Sequence, residues 1–336
     1  MERLSISTRT NPSIVLPKSE ARKRPEFDDA IKQEIKKFES FSAFKRVKDD
    51  GQFAIKTRWV YSETDDLSKG SKLKARLCMR GDTEADIGSI RSDSPTAHKD
   101  SLKLGLAIAA NENFNLISGD IKSAFLHGMS LDRKVYVIPP TEAKEAGNLW
   151  LLEKGAYGLI DGSRLFYLEL KKTLEKIGLK ALSGDAAFFT FHQEGKLIGF
   201  VCIHVDDMLM AGNVDFEEKV VEALRKHFRF SKIERKTFKY LFCEIQKLPT
   251  GDISLNQNEY IQNIKDVVIP SGRNSYKVSE SERRDIRRVV GELSFEINQL
   301  STKITNATIK DLKDAQRLVF KAKLDPIVLN FKKTWG

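Results

Sequence analysis

Two kinds of apolar spacing alternate along the chain and predict a protein that mixes helices with strands. Strands are expected where apolar residues alternate with polar ones or form short runs, and helices where they recur every three or four positions. The expected strands cover 53–62, 72–79, 134–138, 149–152, 188–191, 197–205, 238–247 and 253–255. The expected helices cover 28–44, 101–110, 163–177, 215–227, 259–267 and 283–300. This order indicates an α+β fold with helices on one face of an antiparallel sheet.

The run 199–213 places two adjacent carboxylates, Asp206 and Asp207, inside an otherwise apolar segment. Its two apolar arms predict a β-hairpin with the acidic pair at the tip. Asp-Asp is a poor turn dipeptide, because two-residue hairpin turns favour residues that adopt positive φ readily. Two like charges in a water-poor site repel each other, and a divalent metal is the simplest group to neutralise them. The alternative is one ordinary turn residue beside a solvated neighbour.

A third carboxylate follows an apolar lead-in farther upstream. Phe114, Leu116 and Ile117 predict a strand that ends close to Asp120. Asp120 and Asp206 are far apart in sequence, so they meet only if their strands lie side by side. If they meet, carboxylate oxygens are the hard ligands that Mg²⁺ prefers.

Four motifs occur in a specific order: KARL at 74–77, DIKSAFL at 120–126, YGL at 157–159 with Arg164 and Tyr167, and HVDD at 204–207. Together they resemble the reverse transcriptase domain of Ty1/copia-type LTR retrotransposons, which is part of a Pol polyprotein. The resemblance runs from about residue 27 to residue 333, nearly the whole chain.

The resemblance implies a polymerase palm with fingers and a partial helical thumb. It divides the chain into a polar and basic tail (1–26), fingers and palm entry (27–112), palm (113–250) and thumb (251–336). It also implies that two Mg²⁺ ions, or Mn²⁺ in their place, bind to Asp120, Asp206, Asp207 and the Ile121 carbonyl. The implied partners are a primed RNA or DNA template and deoxynucleoside triphosphates.

The resemblance further implies a nucleotide pocket, in which Phe125 packs against the sugar and excludes a 2′-hydroxyl. The implied pocket residues are Lys74, Arg76, Ile121, Phe125, Tyr157, Gly158, Arg164 and Val205. From the residues alone, plain core packing of Phe125 and a solvated basic face on the 72–79 strand stay open as alternatives. Ser163 is expected to cap its helix.

Three features depart from the family pattern. Gly162 and Ser163 stand where the family has Ser-Pro, and Cys243 stands where the family has a turn glycine. About a dozen residues of the family are missing near 294–295, which suggests an internal deletion in the thumb. The departures favour, as an alternative function, an inactive remnant that keeps the fold and binds nucleic acid. A third candidate function is that of a nucleotidyl cyclase, because such enzymes use a similar pair of metal-binding carboxylates.

Net charge, cysteines and apolar runs limit the kinds of partner and environment that we expect for this chain. Fifty-seven Lys and Arg residues against forty-seven Asp and Glu give a net charge of +10, which suits a polyanionic partner. The three cysteines lie far apart in hydrophobic segments and predict buried thiols rather than disulfides. No apolar run is long enough to span a bilayer and the N-terminus is no signal peptide, so we expect no membrane partner. The expected location is the cytoplasm, the nucleus or a virus-like particle.

Overall fold

The computed structural model describes residues 14–66, 70–292 and 306–333. Its strands are β1 (Ile14–Leu16), β2 (Phe44–Lys48), β3 (Thr57–Asp66), β4 (Gly70–Met79), β5 (Asn115–Ile121), β6 (Tyr136–Val137), β7 (Asn148–Leu152), β8 (Lys180–Leu182), β9 (Asp185–Gln193), β10 (Lys196–His204), β11 (Asp207–Gly212), β12 (Phe230–Arg235), β13 (Thr237–Tyr240), β14 (Cys243–Lys247), β15 (Ile253–Asn256) and β16 (Val328–Phe331). Its helices are α1 (Lys18–Ala21), α2 (Phe27–Ser40), α3 (Lys99–Asn111), α4 (Gly162–Ile177), α5 (Val214–Phe216), α6 (Glu222–His227), α7 (Asn258–Gln262), α8 (Glu280–Glu292) and α9 (Ile309–Leu324).

The strands form sheets with mainly antiparallel pairing. The largest sheet has the order β12-β5-β11-β10-β9-β8, so strands that are distant in sequence become neighbours at its centre. Smaller sheets have the orders β1-β3-β4, β2-β7-β6 and β13-β14-β15-β16. The mixture of helices with antiparallel sheets agrees with the α+β class expected from the sequence. None of the helices in the described residues is long and apolar enough to cross a membrane.

The chain divides into two compact units. The first contains the described residues up to His98, together with Asp120–Met208 and Asp215–Ser231. Its aromatic core includes Phe44 and Trp150, whose rings stack with centroids 4.0 Å apart. Helix α2 covers this core because Phe27, Ile31 and Phe38 recur on one of its faces, and all three are buried.

A close contact in the first unit depends on a glycine. Gly199 lies in β10, where a Cβ atom would stand 2.2 Å from the ring of Phe216. Any larger residue would therefore push Phe216 off the strand, and Phe216 is fully buried. The sequence places glycine here for close packing rather than for backbone freedom.

The second unit contains Lys99–Gly119, Leu209–Val214 and the described residues from Lys232 onward. Helices α8 and α9 share an apolar core that includes Ile286, Leu312 and Val319. Helix α9 begins at a capping box, in which the backbone N–H of Thr308 donates to the carboxylate of Asp311 at 2.9 Å and the side chain of Thr308 accepts from the backbone N–H of Asp311.

The structure corrects several expected boundaries. The strands expected over 53–62 and 72–79 extend into the polar segment between them, because β3 and β4 continue their ladder through Glu63↔Leu73 and Thr64↔Lys72. A backbone ladder needs no apolar side chains, so polarity was a misleading signal. The helix expected over 28–44 ends at Ser40, and Phe44 instead begins β2 and pairs with β7.

The remaining corrections concern helices. The N-cap of α4 is Asp161 and no side chain makes a cap bond there, so the expected role of Ser163 is wrong. The helix expected over 215–227 is interrupted by a π-helical turn at Glu217–Val221. The helix expected over 259–267 ends at Gln262, and that expected over 283–300 is described only to Glu292. The proposed deletion near 294–295 lies outside the described residues.

Candidate active site

The hairpin between β10 and β11 carries two of the expected carboxylates. His204 ends β10, Val205 and Asp206 form the turn, and Asp207 begins β11. The turn is therefore Val205-Asp206, and the expectation that both aspartates form the tip is wrong by one residue. Val205 has φ +57°, a left-handed conformation that is costly for a β-branched residue.

Asp120 reaches the same turn from a neighbouring strand. It is the penultimate residue of β5, which lies beside β11 in the largest sheet. The backbone N–H of Ile121 donates to the carbonyl of Asp206 at 3.1 Å. The structure thus brings Asp120 beside the Val205-Asp206 turn, with the two strands as neighbours.

Burial and like charge act together on the two turn carboxylates. Burial is the larger cause in each case, and it raises the pKa of Asp206 and raises the pKa of Asp207 to about 6. Asp120 repels both groups, and Asp206 also repels Asp207. Arg76 and His204 act in the opposite direction on the pKa of Asp206. Burial therefore disfavours the ionised form of both groups, and a cation beside them would restore it.

The donor chemistry of these residues fits a hard divalent cation. Carboxylates and a backbone carbonyl are the oxygen ligands that Mg²⁺ and Mn²⁺ accept. Across residues 14–66, 70–292 and 306–333, however, no three His, Cys, Asp or Glu side chains stand close enough to hold a metal ion together. Asp120, Asp206 and Asp207 nevertheless interact electrostatically with one another.

Asp120 has a partner that the sequence reasoning missed. The hydroxyl of Ser231, in β12, donates to Oδ2 of Asp120. A backbone bond holds the adjacent chain ends together, because the N–H of Lys122 donates to the carbonyl of Arg229 at 2.8 Å. No strand was expected at β12, since FSKIER carries only two apolar residues, and so Ser231 was not identified.

The basic face of β4 lies close to the carboxylates. Lys74 and Arg76 are exposed, whereas Ala75 and Leu77 between and beyond them are buried, which confirms the expected alternation. Burial by surrounding atoms and repulsion from Lys72 and Arg76 lower the pKa of Lys74, while the charge of Asp120 raises it. Lys74 therefore lies within electrostatic range of Asp120.

The YGL motif makes backbone hydrogen bonds to the end of β4 and to the residues just after it. The carbonyl of Tyr157 accepts a 2.7 Å bond from the N–H of Met79, and the carbonyl of Gly158 accepts a 3.2 Å bond from the N–H of Gly81. Gly158 has φ +87°, and a Cβ atom there would lie 2.2 Å from the carbonyl oxygen of Met79. Glycine is required because the two backbones approach so closely.

A buried acid completes this support. Glu34 of α2 is only 3% exposed, and its Oε1 accepts a 3.4 Å bond from the N–H of Leu77 in β4. Its other oxygen pairs with the ammonium of Lys37. Glu34 thus accepts a hydrogen bond from the backbone of β4 directly after Arg76. No pattern in the sequence indicated this role.

Three side chains of the expected nucleotide pocket stack on one another. The guanidinium carbon of Arg76 lies 4.6 Å from the ring centroid of Tyr157. The rings of Phe125 and Tyr157 pack edge to face with their centroids 4.9 Å apart. Burial raises the pKa of Tyr157 to about 12, so its phenol stays neutral at ordinary pH.

Arg164 and the loop around it have a different set of contacts. Its guanidinium pairs with the carboxylate of Asp93 and also donates to the Asp93 carbonyl at 3.2 Å. In this structure Arg164 therefore anchors the loop before α3. A second network joins Arg133 to Glu84 and Asp161, whose carboxylates are only 7% and 8% exposed.

Comparison with known proteins identifies relatives of this arrangement. The family model described as "Reverse transcriptase (RNA-dependent DNA polymerase)" matches residues 41–276. The chain is 28% identical over 210 residues to the Retrovirus-related Pol polyprotein from transposon RE1 of Arabidopsis thaliana, covering 61% of this chain and 14% of that protein. It is 25% identical over 197 residues to the Transposon Ty1-DR4 Gag-Pol polyprotein of Saccharomyces cerevisiae, covering 58% of this chain and 12% of that protein.

Among solved structures, the fold is similar to that of the foamy viral protease-reverse transcriptase, solved in complex with double-stranded DNA. The TM-score is 0.52 at 14% sequence identity, and the match covers 89% of this chain and 48% of that one. The sequence relatives are much longer polyproteins, so the chain spans about one seventh of their length. The resemblance to copia-type elements and the polymerase-like α+β fold are both confirmed.

Proposed function

The chain belongs to the reverse transcriptase (RNA-dependent DNA polymerase) family, and from that premise we propose that it catalyses RNA-directed DNA synthesis for a copia-type retroelement. The observation that carries the proposal is the position of Asp120 beside the Val205-Asp206 turn, with the Ile121 N–H bonded to the Asp206 carbonyl at 3.1 Å. Its substrates are deoxynucleoside triphosphates and a primed template.

The carboxylates of Asp120, Asp206 and Asp207, with the Ile121 carbonyl, are the residues that hold two divalent ions in this proposal. Such ions, when bound, activate the attacking hydroxyl and stabilise the leaving oxygen. Burial, with added repulsion from Asp120, raises the pKa of Asp206 and of Asp207, and this supports the assignment because a bound cation stabilises the ionised form of both groups. Both carboxylates must be ionised to bind a cation, so we expect the affinity for Mg²⁺ to rise as the pH increases through about 6.

The other residues orient the nucleotide. Lys74 and Arg76 present positive charge to its triphosphate from the exposed face of β4. The ring of Phe125, backed edge to face by Tyr157, offers a flat apolar surface to the sugar. Phosphoryl transfer depends mainly on positioning and charge neutralisation, so no nucleophilic side chain is needed.

A second candidate function is a non-catalytic remnant that binds nucleic acid. It is favoured by one observation, that no three potential metal ligands in the described part of the chain are arranged to hold an ion as they stand. The two candidates differ in whether the carboxylates can rearrange around a cation.

Primer extension separates the two candidates. The purified chain is given poly(rA) annealed to oligo(dT), thymidine triphosphate and Mg²⁺, and is compared with Asp206→Asn. The proposal predicts metal-dependent extension by the unaltered chain and a loss of about a hundredfold to a thousandfold in the variant, as for other groups that stabilise charge in the transition state. Binding of the primed template without extension by either protein supports the remnant.

A further inference from the structure

Asp120 and Ser231 lie opposite each other on neighbouring strands of the largest sheet, β5 and β12. Just beyond the ends of these strands, the N–H of Lys122 donates to the carbonyl of Arg229 at 2.8 Å. Two residues back from Lys122 is Asp120, and two residues on from Arg229 is Ser231. From the first contact to the second, the chain runs backward in β5 and forward in β12. This is the pattern of an antiparallel pair, and it places Ser231 directly across from Asp120.

We infer that Ser231 is a positioning residue for Asp120. Its hydroxyl donates to Oδ2 of Asp120 and fixes the direction of that carboxylate, while the other oxygen is left to bind a cation. An ionised carboxylate offers about four acceptor positions, so one donor does not exhaust it. The inference rests on the proposed function, because it assumes that Asp120 acts as a metal ligand.

The chemistry of serine suits this role. A carboxylate that binds a metal is commonly oriented by a second residue that donates a hydrogen bond to it. The hydroxyl of Ser231 is a neutral donor, so it orients Asp120 without the positive charge that would compete with a cation for the same carboxylate. A lysine or arginine at this position would neutralise Asp120 instead.

The register of the two strands maintains the contact. The bond between Lys122 and Arg229 fixes the start of β12 against the end of β5, so Ser231 approaches Asp120 without a long flexible side chain. A one-residue slip between the strands would turn Ser231 to the opposite face of the sheet. Position 231 is therefore constrained by backbone pairing, and its hydroxyl by the carboxylate.

Two substitutions and a control test this role. Ser231→Ala removes the hydroxyl, whereas Ser231→Thr keeps it. The control is Ser89→Ala, which removes another serine hydroxyl of the same unit, one that bonds to the Asp86 carbonyl at 2.9 Å. Thermal unfolding of each variant shows whether the fold is retained.

The first measurement is Mn²⁺ binding, followed by the electron paramagnetic resonance signal of the free ion, with no nucleic acid present. We expect Ser231→Ala to bind Mn²⁺ about 10-fold more weakly, the lower end of the effect for loss of an orienting partner. Ser231→Thr and Ser89→Ala should bind as the unaltered chain does. The second measurement is primer extension, in which kcat should fall in Ser231→Ala while the KM for the nucleotide stays constant.

The outcomes distinguish this inference from the proposed function. If Ser231→Ala binds Mn²⁺ and extends primers like the unaltered chain while Asp206→Asn is inactive, the role of Ser231 is wrong and the polymerase assignment stands. Tighter Mn²⁺ binding by Ser231→Ala also overturns the role, because Ser231 would then compete with the ion. If no protein extends primers but Ser231→Ala alone binds Mn²⁺ weakly, the proposed activity fails and the positioning role holds. If Ser231→Ala does not fold, weaker Mn²⁺ binding by Ser231→Thr than by the unaltered chain overturns the inference, and equal binding supports it.

Discussion

Val205 holds the backbone at the turn in a conformation that its side chain opposes. Its φ of +57° is left-handed, and the turn has the positive φ at its first central position that two-residue hairpins commonly assign to glycine. Strained residues of this kind cost on the order of 1–3 kcal/mol and cluster at functional sites. The sequence predicted the hairpin but not this strain, because an apolar run with Val before Asp-Asp is indistinguishable from an ordinary strand end.

At position 205 a glycine variant should be more stable than an alanine variant, which reverses their usual order of stability in a strand. In an ordinary strand glycine is less stable than alanine by roughly 0.5–1 kcal/mol. At position 205 only glycine releases the strain, so we expect Val205→Gly to exceed Val205→Ala in free energy of unfolding by about 1 kcal/mol. Urea unfolding of the two variants measures the difference, and a more stable alanine variant would show that the turn is unstrained.

His127 lies against two aromatic rings and within electrostatic range of several basic side chains. Its ring packs edge to face on Phe41 at 4.7 Å and on Phe228 at 5.4 Å, and its buried Nε2 has no hydrogen-bond partner in the described residues. Burial, with added repulsion from Lys154, Arg229 and His227, lowers the pKa of His127 to about 4. The unfolded chain, with an ordinary histidine pKa near 6.5, therefore binds this proton more readily.

The resulting stability is present above pH 6.5 and is lost as the pH falls toward 4. Between pH 7.5 and pH 5 we expect His127 to remove about 1 kcal/mol from the free energy of unfolding, roughly half of the full linkage value, because its side chain is partly exposed to solvent. His127→Leu keeps an apolar side chain and cannot titrate, so its stability should fall less over the same range. Urea unfolding at both pH values measures this, and parallel losses in the two proteins would refute the lowered pKa.

At the scale of elements, a buried ion network fixes the YGL segment. Arg133, on the chain leading into β6, pairs with Glu84 at 2.7 Å and with Asp161, the N-cap of α4. Both carboxylates are nearly buried, so removal of the arginine would leave two charges without a counter-ion. The network holds the start of α4 and the residues after β4 together, and Tyr157 lies between these elements in sequence.

Arg133→Met should destabilise the chain by about 3–5 kcal/mol, the cost of uncovering a buried charge. Arg46→Met is a matched control, because Arg46 also pairs with two glutamates, Glu39 and Glu145, but is itself half exposed. Exposed pairs contribute roughly 0–1 kcal/mol, so the control should change little. Chemical unfolding compares them, and equal losses would mean that burial does not decide the cost.

Helices and strands with regularly spaced apolar residues could be predicted from the sequence. Strands that are held mainly by backbone hydrogen bonds to a neighbouring strand could not. Strands β4, β9 and β10 and helices α3 and α4 were located to within a few residues. Strand β12 was missed because its polar residues take part through backbone bonds to a neighbour. The cap expected at Ser163 failed because Asp161 occupies the N-cap position.

At the scale of the whole molecule, the sequence motifs predicted which residues would meet. Asp120 and Asp206 are brought together by neighbouring strands β5 and β11, and an order of motifs resembling a known family made that neighbourhood predictable. The supporting residues Glu34, Arg133 and Ser231 lie outside the motifs. Their roles depend on contacts between distant segments, so no local pattern in the sequence could indicate them.

The central claim is that Asp120 and Asp206 serve one site, and a double-mutant cycle in single-turnover primer extension tests it most directly. Asp120→Asn, Asp206→Asn and the double variant are compared with the unaltered chain under saturating primed template, nucleotide and Mg²⁺. Residues that act as one unit are strongly non-additive, so we predict that the double variant extends no more slowly than either single variant. Multiplied losses, or full activity in either single variant, would contradict a shared site.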